Sequence, residues 1–333
     1  MRYPKSLSPS ALFLWESDRE EYYIKYLSDN RSSWDAQSQP ASVGSAFDAY
    51  VKAHLHKDLF GHDGDGEYDV EQLLETQVEE QCRAWARRAG LYAFERYFAC
   101  GCYQELRAEL EKSEEPPRFE FKLTGDVQGI PLVGKPDLWY KLGVHVIYDW
   151  KVEGFCSKSA VSPKKFYKSC RDTWVPGDLI KATRGGGEAK PHKKYVEVEH
   201  HGQKIGQHWL EETNRKWADQ IAIYSWLMGM QVGDEETITG IDQLCCKPTP
   251  VEEGDQWPLI RVAQHRCRIS TSHQEALMAR LHDCWDTIHS GHIFSDMTEE
   301  ESKARCEVLD MEAPELDDPD GLWAMVNERQ YRG

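Results

Sequence analysis

Apolar positions recur at helical spacing through the first hundred residues. Ser8-Pro9 precedes Ala11, Leu12, Trp15, Tyr22, Tyr23 and Tyr26, so a serine cap, a first-turn proline and one apolar face predict a helix opening at Pro9. The same spacing predicts a second helix over 43–56 and a long amphipathic one over 69–99, ended at or just before Gly101. The period then shortens to two. Phe119, Phe121, Leu123 and Val127 alternate with polar residues up to a turn at Gly129-Ile130-Pro131. A second strand is expected over 132–141. A third, over 144–151, is apolar almost throughout and suits the middle of a sheet. The three are expected to form a meander. Helical spacing returns over 209–230, where Trp217, Ile221, Tyr224 and Leu227 share a face; strands are expected over 237–244 and 259–269, and a last helix over 272–289.

Composition narrows the class. The chain has 333 residues, 40% of them hydrophobic, which is enough for a sizeable core and excludes wholesale disorder. No run approaches the roughly 20 apolar residues of a membrane span, and the opening MRYPKSLSPS lacks a secretion signal's apolar segment; a soluble, cytoplasmic protein is expected. The 10 cysteines show no paired C-x-x-C spacing, which favours reduced thiols over a disulfide framework or a zinc site. His200, His201 and His208 stand in a polar stretch and read as surface histidines.

The net charge of −17 hides two opposed regions. Eleven acids against two bases fill 296–321, whereas ten bases against three acids fill 155–194. Phe166, Tyr167, Trp174 and Tyr195 are interleaved in the basic tract, a composition that tracks phosphates and stacks bases, so Lys164, Lys165, Lys168 and Arg171 are candidate nucleic-acid contacts. A solvated lysine-rich loop, interrupted by Gly185-Gly186-Gly187, is the plainer alternative.

The chemistry gathers at Gly134-Lys135-Pro136-Asp137 and, twelve positions after Asp137, Asp149-Trp150-Lys151. Alternation along a strand puts Asp149 and Lys151 on one face, where Asp137 of the neighbouring strand can meet them. Two carboxylates and the Trp150 carbonyl offer hard oxygen ligands for Mg2+ or Mn2+; the lysine can orient or deprotonate an attacking water and offset charge on a phosphate. An acid-x-Lys pattern occurs four times in the chain, at Glu120, Asp149, Glu188 and Glu301, and only the Asp149 copy ends a hydrophobic strand preceded by a strand with an aspartate. Upstream, Asp48 in Gly44-Ser45-Ala46-Phe47-Asp48, with His54 and His56 as lesser alternatives, is a further ligand candidate. Downstream, Gln220 and Tyr224 lie four apart on one helix face, facing substrate or the lysine.

In the order of these motifs the chain resembles the PD-(D/E)XK nuclease superfamily, in its RecB-like and phage-exonuclease branch. The resemblance implies an α/β, restriction-endonuclease-like core with a central mixed sheet flanked by helices. It implies Asp137 and Asp149 as metal ligands, Lys151 as the catalytic lysine, and Gln220 and Tyr224 as supporting residues. Asp48 departs from the histidine common at that helix position. The expected layout is a helical part over 1–115, the nuclease core over 116–270 and an acidic helical extension over 271–333. The expected function is a metal-dependent DNA exonuclease of recombination, replication or repair, phage-encoded, with DNA and a recombination protein as partners and a homo-oligomeric assembly. The rival is a nucleic-acid-binding or assembly protein on a nuclease scaffold that no longer cuts.

Overall fold

The structure, a computed structural model, describes residues 1–30, 36–61, 68–155, 167–169, 196–247 and 259–312. Helix α1 (Pro9–Ser17) begins where Ser8 Oγ accepts from the Ala11 N–H at 3.2 Å and Pro9 fills the first turn. The helix expected to continue to Tyr26 is interrupted. Asp18 is extended and recaps the chain by accepting from the Glu21 N–H, so a short α2 (Arg19–Tyr22) and a π-helical turn (Tyr23–Leu27) follow. Next come α3 (Gln39–Phe60), α4 (Val70–Gln77), α5 (Glu80–Ala99) and α6 (Cys102–Leu110). The single helix expected over 69–99 is therefore two: Val78 is extended and buried, and Glu79 exchanges hydrogen bonds with Gln37, Gln37 N to Glu79 Oε2 at 2.9 Å and Glu79 N to Gln37 Oε1 at 3.1 Å.

The strands are β1 (Arg118–Phe119), β2 (Leu123–Val127), β3 (Ile130–Gly134), β4 (Leu138–Leu142), β5 (Val144–Glu153), β6 (Tyr167–Ser169), β7 (Glu197–His200), β8 (Gln203–Gly206), β9 (Ile238–Lys247) and β10 (Leu259–Cys267). Between β8 and β9 lie α7 (Leu210–Thr213) and α8 (Arg215–Leu227); α9 (Thr271–Ser290) and α10 (Glu299–Glu312) follow β10. Among the described residues six strands form the central sheet in the order β1-β4-β5-β9-β10-β6; β5 and β9 run parallel and every other neighbouring pair antiparallel. The fold is α/β, a mixed sheet between helical layers.

The expected meander is only partly formed. The stretch 132–141 divides between two sheets, β3 pairing with β2 in a separate hairpin and β4 entering the central sheet. Pro136, between them, has no N–H to give a ladder. At the next rung the Asp137 carboxylate takes the place of backbone, with the Trp150 N–H donating to its Oδ2 at 3.2 Å.

Two apolar layers sandwich the sheet. Val146, Tyr148 and Trp150 of β5 join Leu244, Ile260 and Val262 against α3, α5 and α6. Ile147, with Trp139, Ile241 and Cys267, packs against α1, α8 and α9. Alternation then places Asp149 and Lys151 on the α8 side, at the carboxyl end of β5. Helix α9 belongs to that second layer through Leu277, Leu281 and Ile288, and it fixes α8 through buried Asp219, which accepts from Arg280 at 2.6 Å and meets His273 at 2.8 Å. Among the described residues no helix is long and apolar enough to cross a membrane. Cys82, Cys102, Cys245, Cys267, Cys284 and Cys306 are free thiols, as expected; Cys100 is instead disulfide-bonded.

Candidate active site

Strands β4 and β5 pair from Leu142↔Val144 to Leu138↔Tyr148, then part. Into that fork fall Asp137, from the segment entering β4, and Asp149 and Lys151, from the end of β5. The two carboxyls lie within hydrogen-bonding reach of each other. Lys151 is ion-paired with Asp149 and donates to Gln220 Oε1 at 3.0 Å, and Gln220 Nε2 donates to the Tyr224 hydroxyl at 2.9 Å. The α8 pair thus reaches the pocket through the lysine. Gly134 makes room for this: a Cβ there would sit 2.5 Å from the Tyr224 ring.

Helix α3 closes the pocket from the other side. Asp48 is ion-paired with Lys52 one turn later, a lysine with no solvent exposure. Lys52 also donates to Glu120 Oε1 at 2.6 Å and stands 3.7 Å from Asp137 Oδ1. Glu120 in turn accepts from Gln77 at 3.0 Å and from Lys135 at 3.3 Å. It holds a φ of +46°, a strained conformation for a residue with a Cβ, which turns its carboxylate into the pocket while Phe119 and Phe121 stay outside it.

Charge in the pocket is unevenly shared. Burial, then the neighbouring Asp137, pushes the Asp149 carboxyl well above the usual carboxylate range, against the pull of Lys151. Burial likewise raises Asp48, reinforced by Asp137 and Glu120 and opposed by Lys52. For Asp137 burial acts upward too, but Lys52, Asp149, Lys151 and the Trp150 N–H together bring it below its ordinary value. Burial alone would lower Lys52 and Lys151; the surrounding carboxylates outweigh it and raise both, so both stay ammonium ions.

A divalent cation suits this donor set. Asp48 Oδ1 is buried without a hydrogen-bond partner, and Asp149 Oδ2 is buried against the Lys151 ammonium. Both are carboxylate oxygens, the ligands hard cations prefer. The Trp150 N–H leaves β5 toward Asp137, and in an antiparallel pairing a residue's N–H and C=O share an edge, so the Trp150 carbonyl belongs to the same side.

The remaining candidates lie elsewhere. Lys168 sits in β6, whose backbone pairs with β10 as Val262↔Lys168; Lys164, Lys165 and Arg171 lie outside the described residues. His54 turns away from the pocket, its ring against Phe94 at 4.5 Å and its Nδ1 2.7 Å from the Tyr50 carbonyl. His200, His201 and Glu236 gather ligand atoms within 4.8 Å of one another. They do so beside Gly143 at the opposite end of β5, about 20 Å from Asp149 at the rise of a strand, and are no part of the pocket. Lys52 and Gln77 stand in no motif, and Lys135 and Glu120, though inside the Gly134–Asp137 motif and a discounted acid-x-Lys copy, were given no role there. For Lys52 the available signal was that it follows Asp48 by a single helical turn.

No curated protein matches the chain. A crystal structure of a proposed exonuclease from Eubacterium rectale is similar over 98% of both chains at 14% identity, with a TM-score of 0.37, a likeness too loose to carry weight. Residues 6–165 match the model of the PD-(D/E)XK nuclease superfamily. That span, which holds every acid of the pocket together with Lys151, is where the chain is similar to the superfamily.

Proposed function

We propose that the protein is a deoxyribonuclease dependent on Mg2+ or Mn2+, acting at DNA ends. The observation that carries this reading is the convergence of Asp137, Asp149 and Lys151 at the β4/β5 fork, with Asp48 facing them from α3. Asp48, Asp137, Asp149 and the Trp150 carbonyl would hold the cation. When bound, it polarises the phosphodiester and lowers the pKa of the attacking water.

The protein's own groups supply the rest. Lys151, kept as an ammonium by Asp149 and Asp137, acts through charge and hydrogen bonding on the phosphoryl oxygens rather than as a resting base. Gln220 holds that ammonium on the pocket side, and Tyr224 fixes the Gln220 amide. Packing of α3 and α8 on either side leaves the fork as the approach for a phosphate. The same pocket chemistry would serve RNA, so the choice of DNA rests on the family branch the motifs resemble.

Linear and covalently closed circular DNA, each incubated with Mg2+, Mn2+ or a chelator, test the proposal. Loss of the linear form only, with the metal only, is expected. Asp149→Asn and Lys151→Ala should each lower the rate by about 10²- to 10⁴-fold. Cleavage that persists in both variants would remove the assignment, and binding without cleavage by the wild type would favour the inactive scaffold.

A further inference from the structure

Beside the pocket, and not used by the chemistry above, lies a cleft of about 330 Å³ lined chiefly by rings: His56 and Phe60 of α3, Tyr68, and Phe119 and Phe121 flanking Glu120. His56 and Tyr68 stack with centroids 4.2 Å apart and planes 9° from parallel, and Phe60 stands 4.8 Å from His56. Arg118, also in the lining, holds its guanidinium 4.0 Å from the Phe121 ring centroid. Phe60 is 46% exposed at the end of its helix, where it adds little to the core. Among the described residues no carboxylate lines the cleft.

Two features join this cleft to the catalytic pocket. Asp48, Lys52, His56 and Phe60 follow one another at four-residue intervals along one stripe of α3, each step about 6 Å along the axis. Glu120 faces Lys52 while the residues on either side of it line the cleft. A strand with its phosphate at Asp48 and Asp137 would therefore reach the rings after about 12 Å, or two to four nucleotides at a per-strand rise of about 3.4 Å or somewhat more.

Flat π surfaces beside the Arg118 guanidinium suit an unpaired base and its phosphate. We propose that the cleft between α3 and β1 is a subsite for one unpaired nucleobase of the strand being cut, with Arg118 on the adjoining phosphate. The proposal deepens the nuclease reading and rests on it: the enzyme would engage a frayed or single-stranded end rather than an intact duplex.

Affinity for an oligothymidylate 12-mer and for an abasic 12-mer of the same backbone, measured by fluorescence anisotropy in chelator, separates base stacking from charge. Wild type should prefer the thymidylate by about 5- to 150-fold, the worth of stacking one base. Phe60→Leu, which keeps apolar bulk, should lose most of that preference, and Phe60→Tyr should retain it. Arg118→Ala should weaken both ligands alike. Equal binding of the two ligands by wild type, or an undiminished preference in Phe60→Leu, would overturn the subsite. Failure of the nuclease reading appears separately, as wild-type protein that cuts no DNA with either metal.

Discussion

A lysine without solvent exposure is costly unless its charge is matched, and Lys52 is matched by three carboxylates at once: Asp48, Glu120 and Asp137. Replacing it with methionine would leave those acids, and Asp149 beside them, facing one another. Lys52→Met should cost about 3–5 kcal/mol, the usual penalty for removing one partner of a buried ion pair. Thermal melting of both proteins with and without Mn2+ checks this, and the metal should raise the melting temperature of the variant more than that of wild type, because a cation then offsets charge the lysine no longer offsets. An unchanged melting temperature without metal would show that the ammonium does not balance the pocket. Asp149-x-Lys151 was legible because strand alternation is strict and a late acid in an apolar strand needs a partner. Lys52 and Glu120 were not, since one depends on how α3 lies against the sheet and the other on a left-handed backbone conformation that glutamate seldom adopts.

Helix α3 reaches the pocket only because α5 lets it lie close. Gly90 of α5 faces Ala46 and Phe47, and a Cβ at that position would meet the Ala46 Cβ at 2.5 Å, its carbonyl carbon at 2.7 Å and the Phe47 nitrogen at 2.8 Å. Backbone atoms cannot swing aside as a side chain can. Gly90→Ala should therefore destabilise the fold by about 1–3 kcal/mol, even though alanine is the better helix former by up to about 1 kcal/mol. It should also lower cleavage, because the shift falls two residues before Asp48. Denaturant titration and the linear-DNA assay read the two effects, and a more stable, fully active variant would refute the close approach as the positioning device. Periodicity identified most helices, since amphipathic spacing survives in the finished packing. It did not reveal the breaks at Asp18 and Val78, where the apolar face continues but a side-chain cap or a reciprocal hydrogen-bond pair interrupts the backbone. The meander failed for a related reason: 132–141 lies between two turn signals and was read as one strand, yet the missing N–H of Pro136 and the side chain of Asp137 divide it between two sheets.

Over the whole molecule, acid sensitivity should come partly from a histidine that is not one of the metal pocket's groups but lies two strands away from Asp149 in the central sheet. His265 of β10 is buried; burial first, then His208 and Arg266, pulls its pKa down to about 4, against the opposite influence of Asp242. Its Nε2 lies 3.3 Å from Gln243 Oε1, and the Trp217 ring of α8 covers it at 5.8 Å. In the unfolded chain the same imidazole titrates near 6.5, so between pH 6.5 and about 4 the unfolded state binds a proton that the folded state refuses. Stability from this group is complete above pH 6.5 and declines as pH falls toward 4, by up to about 3 kcal/mol, and is flat below that. The raised carboxyls of Asp48 and Asp149 have the opposite sign, because they hold protons in the folded state at a pH where the unfolded chain has released them. The measured curve is therefore a sum, and the histidine is isolated by difference. Unfolding free energies of wild type and His265→Asn across pH 4–7 should converge as the pH falls, since the variant lacks the titration. Parallel curves over that window would mean that His265 accepts its proton without opening the contact between β10 and α8.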